Sequence, residues 1–188
     1  MQKQIKILLT ILMALVLAVS CANNNPNNPT NNDSGNNSQT PAWKQNPNYQ
    51  SLIQDWQNPK RPTEVYQIRE KDNSTIDFNV LNEGTGEVGY SINVSEIVWN
   101  ADNASGIMYG TYTKIDETWQ KPEVLNKWYA ILFNKLTADT LYISQAYVTP
   151  SADAPDGSYT ETLEKAKEIF TEANNAFSTG SDLVPQTK

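Results

Sequence analysis

Between Glu64 and Val148 polar and apolar residues alternate with a period of two, interrupted by short clusters of turn-forming residues. Tyr66 and Ile68 alternate with polar neighbours, and Lys71-Asp72-Asn73-Ser74 then reads as a hairpin loop. Ile76, Phe78 and Val80 share one face, and a turn over Asn82 to Gly86 leads to Val88, Tyr90, Ile92 and Val94. Past Ser95 the phase slips, with Ile97 and Trp99 resuming the apolar face, so a bulge is expected at Ser95-Glu96. Ile107 to Thr113 forms another strand, followed by a polar connection from Asp116 to Asn126. Trp128 to Phe133 is nearly continuously apolar, the pattern of a strand covered on both faces. Leu141 to Val148 follows as its partner. Half-buried strands at short, even spacing predict an antiparallel meander.

At the two ends of this region the period becomes helical. Tyr49, Leu52, Ile53 and Trp56 fall at i, i+3, i+4 and i+7, which predicts a short helix stopped by Asn58-Pro59. Ser158 and Glu161 match a capping box. Leu163, Ala166, Ile169, Phe170, Ala173 and Phe177 then form one apolar stripe with Gly180 beyond it, so an amphipathic helix is expected over 159–178. The fold class is therefore mainly β, with six to eight strands forming a meander barrel or a strongly twisted sheet, and a helix at each end. A single domain over 43–180 is expected, with a flexible tail over 181–188.

The stretch ahead of this domain differs in kind. Nine of the 21 residues from Ala22 to Ala42 are asparagine, interleaved with Pro26, Pro29 and Pro41. Such a composition buries too little apolar surface to offset its ordering entropy, so 21–42 is expected to be a disordered tether. Before it, Lys3 and Lys6 precede an apolar run from Ile7 to Val19 that ends at Ser20-Cys21. That is the layout of a secretory signal peptide over 1–20. The run is too short for a permanent membrane span, which needs about 20 apolar residues.

Leu17-Ala18-Val19-Ser20-Cys21 resembles the lipobox of bacterial lipoproteins. The resemblance implies diacylglyceryl transfer to Cys21, cleavage between Ser20 and Cys21, and acylation of the new amino terminus. The chain would then be lipid-anchored in the cell envelope, the outer membrane favoured, with the membrane as partner through Cys21. Cys21 is the only cysteine, so no internal disulfide competes for the thiol. The hairpins and late helix also look like a lipocalin-type barrel over residues 64–178, which implies a binding module for a small ligand.

Charge and residue chemistry narrow the function further. Loss of Lys3 and Lys6 from the 14 Lys and Arg residues leaves 12 against 21 acidic ones, a formal charge of −9. No basic run makes a local exception, so nucleic-acid binding is not expected. The chain has no histidine, which removes the commonest general base near neutral pH and the commonest metal ligand. Asp116-Glu117 are neighbours rather than a spaced carboxylate pair. Gly84-Thr85-Gly86 lacks the third glycine of a nucleotide fingerprint, and Asp153 to Asp156 lacks the acids of a calcium loop. No catalytic residue, metal or cofactor is expected.

The remaining signal is aromatic. Five tryptophans and nine tyrosines exceed what a small core requires, and rings with a polar tip suit a ligand pocket. Trp99, Tyr109 and Trp128 are the candidate ligand-binding residues, for a small apolar or sugar-like ligand. The other reading is a surface lipoprotein that contacts host or envelope proteins without a small ligand.

Overall fold

The computed structural model describes residues 40–187. The expected signal peptide over 1–20, Cys21 and the part of the expected tether up to Gln39 lie outside them. The described residues form eight strands, β1 (Asp55–Asn58), β2 (Arg61–Glu70), β3 (Ile76–Leu81), β4 (Val88–Trp99), β5 (Gly106–Ile115), β6 (Trp128–Asn134), β7 (Leu141–Gln145) and β8 (Ser181–Pro185), of which β2 to β7 come from the period-two segments. Each pairs antiparallel with the next, and β8 returns to β1, closing the barrel. Closure removes every free sheet edge, which an open twisted sheet would have had to protect.

Register carries the alternation around the barrel. Trp56 pairs with Tyr66, Tyr66 with Val80, and Val80 with Tyr90, so these residues share the inner face. Ile131, Phe133, Ile143 and Leu183 continue that face on the other side. Trp56, Ile68, Phe78, Ile92, Met108, Ile131 and Phe133 are fully buried and fill the centre. The register of β4 against β5 shifts between Val94 and Glu96, which is where the sequence phase slips. β6 is buried at its five central positions, Tyr129 to Phe133. Its outer residues lie under the segment that follows β7, where the Tyr109 hydroxyl on neighbouring β5 donates to the Phe170 carbonyl at 3.0 Å.

Both helical expectations shrink. The first helix, α1, spans only Tyr49–Leu52. Trp56 lies in β1, its indole N–H donating to the Leu52 carbonyl at 3.2 Å. One helical turn does not distinguish the two periods, and the pairing of β1 with β2 and β8 decides the outcome.

The second helix, α2, spans Leu163–Ile169, well inside the expected 159–178. Thr160 forms a β-bridge to Trp128, and Thr162 caps the helix by accepting from the Lys165 amide at 3.2 Å. Ser158 bonds to Asp156, and Glu161 pairs with Lys127 at 2.5 Å, so neither serves a capping box. At the far end the Asn174 amide donates to the Glu168 and Ile169 carbonyls, and Phe177 bridges to Ala146.

The tail expectation over 181–188 is also corrected. Ser181–Pro185 is β8, paired with both β7 and β1.

Candidate functional site

The two ends of the barrel differ. Around one end lie the β2–β3, β4–β5 and β6–β7 turns, and the segment from Ala42 to Leu52 is folded over it. Tyr49 and Leu52 are buried there. The Lys44 ammonium sits 2.5 Å from Glu70 and donates to the Asp72 carbonyl at 2.7 Å. It also lies 5.3 Å from the Trp43 ring centroid, and Tyr49 donates to the other Glu70 oxygen at 2.7 Å. A charge with only 6% of its side chain exposed needs partners of this kind, and their combined hold keeps this end shut.

The opposite end is lined by phenols. Tyr66, Tyr90, Tyr112 and Tyr129 are all buried, with the Tyr112 and Tyr129 centroids 5.0 Å apart. Burial pushes the hydroxyl pKa of each well up, and for Tyr66 the hydrogen bond it donates to Glu64 adds to this. All four are therefore neutral donors across the physiological range. The Tyr90 hydroxyl has no hydrogen-bond partner among the described residues. Trp119, in the β5–β6 connection, rests on Gly89, where a Cβ would come within 2.6–2.9 Å of three of its ring carbons. Only glycine leaves room for that ring, which packs edge-on to Tyr90 and stays 41% exposed.

At the same end a cleft of about 270 Å³ opens through the wall. It lies between the start of β2 and the chain leading into β8. Its origin is the brevity of β8, which pairs with β1 only at Trp56↔Pro185 and Gln57↔Val184. Beyond Gln57 the wall is completed by side chains. Ser181 Oγ donates to Glu64 Oε1 at 2.8 Å, across 117 residues of sequence. Gly180 lets the chain leading into β8 lie close against β7, since a Cβ there would collide with the Ile143 carbonyl. Arg61, Glu64, Tyr66, Gln145, Ser178 and Ser181 line the cleft, with Ile143 an apolar exception.

Glu64 is the centre of this polar group. It faces inward at the register of Tyr66 and Ile68, and 10% of its side chain is exposed. Tyr66 donates to Oε1 at 2.6 Å, Asn58 donates to Oε2 at 2.9 Å, and the Arg61 guanidinium pairs with Oε2 at 2.5 Å. With Ser181, these contacts use the acceptor capacity of both oxygens, which is what allows a carboxylate to be buried here. Chemically the arrangement can bind hydroxyl and charged groups. Among the described residues, no group of three or more His, Cys, Asp or Glu side chains is placed to hold a metal ion.

The three aromatic candidates lie elsewhere and apart from one another. Trp99 faces inward at the shut end, where its indole N–H donates to the Trp43 carbonyl at 2.9 Å and its ring meets Phe133 edge-on at 4.9 Å. Tyr109 is on the outer face under Phe170, its hydroxyl pKa pushed up to about 12, by burial first and Glu96 second. Trp128 is half-buried, paired with Thr111 and bridged to Thr160. None of the three is among the cleft residues. The sequence reading missed Arg61, Glu64 and Ser181. A readable signal for one of them existed: Glu64 occupies the apolar phase of the Tyr66–Ile68 alternation, and an acid at an inward position is rarely incidental. Comparison with known proteins finds no matching family model, no matching curated protein and no matching solved structure.

Proposed function

We propose that the chain is an exported, non-enzymatic lipoprotein, anchored in the bacterial envelope through Cys21, whose barrel binds a small sugar-like ligand in the Glu64 cleft. One observation carries the binding reading: the centre of the barrel is filled by fully buried side chains, while the cleft at its end is lined by hydroxyl, amide and charged groups. An apolar ligand would need an apolar, dry chamber. A hydroxylated one needs convergent donors and acceptors, and the cleft offers Arg61, Gln145, Ser178 and Ser181. Its volume, about 270 Å³, is just below the usual range for ligand sites, so it suits a single small ring.

Tryptophan fluorescence of the purified protein, titrated with oligosaccharides, fatty acids and haem-like compounds, tests this. Trp56 pairs directly with the cleft residue Tyr66 and serves as a reporter. A saturable change is expected for saccharides and not for the other two classes. A flat response to all three would leave the surface-interaction reading, in which the domain contacts another protein.

Anchoring rests on the lipobox-like Leu17 to Cys21 and the thiol's being the only one. The membrane is thus the proposed partner, and nucleic acid is not one. Cys21→Ser is expected to abolish lipid labelling and to leave the precursor uncleaved. Normal maturation and continued membrane partitioning of that variant would rule the anchor out.

A further inference from the structure

We infer that the ligand of the cleft carries a cationic amine, and that Arg61 holds the place of that amine while the cleft is empty. The inference rests on the reading of the cleft as a sugar-like site and specifies the sugar as an amino sugar. The four partners of Glu64 fall into two groups. Asn58, Tyr66 and Ser181 are neutral donors from β1, β2 and β8, and they hold the carboxylate in position whatever Arg61 does. Arg61 is the only cation, and 59% of its side chain is exposed.

The two sides of this ion pair are unequally free to move. Glu64 is held by three hydrogen bonds inside the barrel wall, whereas among the described residues Arg61 has one further charged neighbour, Glu83 at 4.0 Å, beyond hydrogen-bond distance. An exposed guanidinium returns to water at little cost. A buried carboxylate left without a countercharge is expensive, so the vacated position favours a replacement cation. Glu64 and Glu83 would both face that position, and the chain's formal charge of −7 adds an attractive field. An anionic ligand would meet both carboxylates. The Gln145 side-chain amide remains available to the rest of the ring, and the hydroxyls of Ser178 and Ser181, which donate to the Gln145 carbonyl and to Glu64, can still accept from it.

The test compares glucosamine, glucose and glucuronate, which share a ring and differ in charge, by calorimetric titration of the purified full-length chain at about pH 6, below the range in which such amines lose their proton. Glucosamine is expected to bind about tenfold more tightly than glucose, the increment of one charge-assisted contact, and glucuronate more weakly than either. Arg61→Ala removes the internal competitor, so glucosamine should bind it several-fold more tightly, while glucose, which loses Arg61 as a donor, should bind no more tightly than before. Glu64→Gln should bring glucosamine down to the level of glucose. Should that variant fail to fold, Arg61→Ala decides alone, because Arg61 lies on the exposed rim. Equal binding of glucose and glucosamine, a preference for glucuronate, or weaker glucosamine binding by Arg61→Ala would each overturn the inference and leave the sugar-like reading intact. Absence of saturable binding for all three sugars would overturn both.

Discussion

Raising the pH above about 10 is expected to unfold the barrel cooperatively. Tyr66, Tyr90, Tyr112 and Tyr129 are buried, and burial is the first cause of the raised pKa of each hydroxyl. In the unfolded chain these phenols ionise near pH 10. The folded state keeps its protons to higher pH, so above that point the unfolded state binds fewer protons and gains stability relative to the native one. The contribution of each phenol is fully present below the unfolded pKa and is lost as pH rises towards the folded one. Each costs about 1.4 kcal/mol per pH unit once the unfolded phenols have ionised. Four such groups acting together exhaust an ordinary stability of about 5–15 kcal/mol within roughly one to three pH units. Phenolate absorbance and the loss of circular dichroism should therefore rise together, in one step. A gradual phenolate titration centred near pH 10 with the fold intact would show that these hydroxyls reach solvent.

Truncation of Phe133 or Phe170 to alanine is expected to cost about 3–5 kcal/mol each. Both are fully buried, Phe133 on the inner face of β6 and Phe170 at the end of α2 against the outside of the barrel. The two changes probe different layers. Phe133→Ala opens the interior beside Trp99 and Gly106, whereas Phe170→Ala loosens the covering segment above Tyr109. Glu168→Ala, on the exposed side of α2, should change stability by less than about 0.5 kcal/mol. Urea unfolding of the three variants separates the outcomes. Tolerance of Phe170→Ala equal to that of Glu168→Ala would mean that the segment after β7 is not docked on the sheet.

The candidate site was largely illegible in the sequence, and the aromatic signal pointed away from it. Abundant large rings at strand positions serve packing here: Trp99 closes the shut end, Tyr109 anchors the outer cover, and Trp128 sits between two strand partners. The inward tyrosines did carry information, because Tyr66 and Tyr90 occupy the apolar phase of their strands. Glu64 occupies that phase as well. Its importance depends on Ser181 and Asn58 meeting it, which is not a property of any local stretch.

By itself the sequence determined the alternation that selects the inner face from Tyr66 to Trp99, the bulge after Val94, the coverage of β6 on both faces, and the burial of Phe133 and Phe170. These follow from side-chain period and the cost of exposing apolar surface, which act residue by residue. Tertiary structure alone decided whether the meander closes, how long the helices run, and where the cleft lies. Ser181 to Pro185 is a short segment with no strand alternation of its own, and it becomes β8 because β1 and β7 present unpaired backbone groups on either side of it. The expected long helix gives way in the same fashion, since Thr160 and Phe177 gain bridges to Trp128 and Ala146 that a helix would forgo. Backbone pairing between distant segments outweighs local helical preference at both ends of α2, and the shortness of β8 leaves the opening that Arg61, Glu64 and Ser181 line.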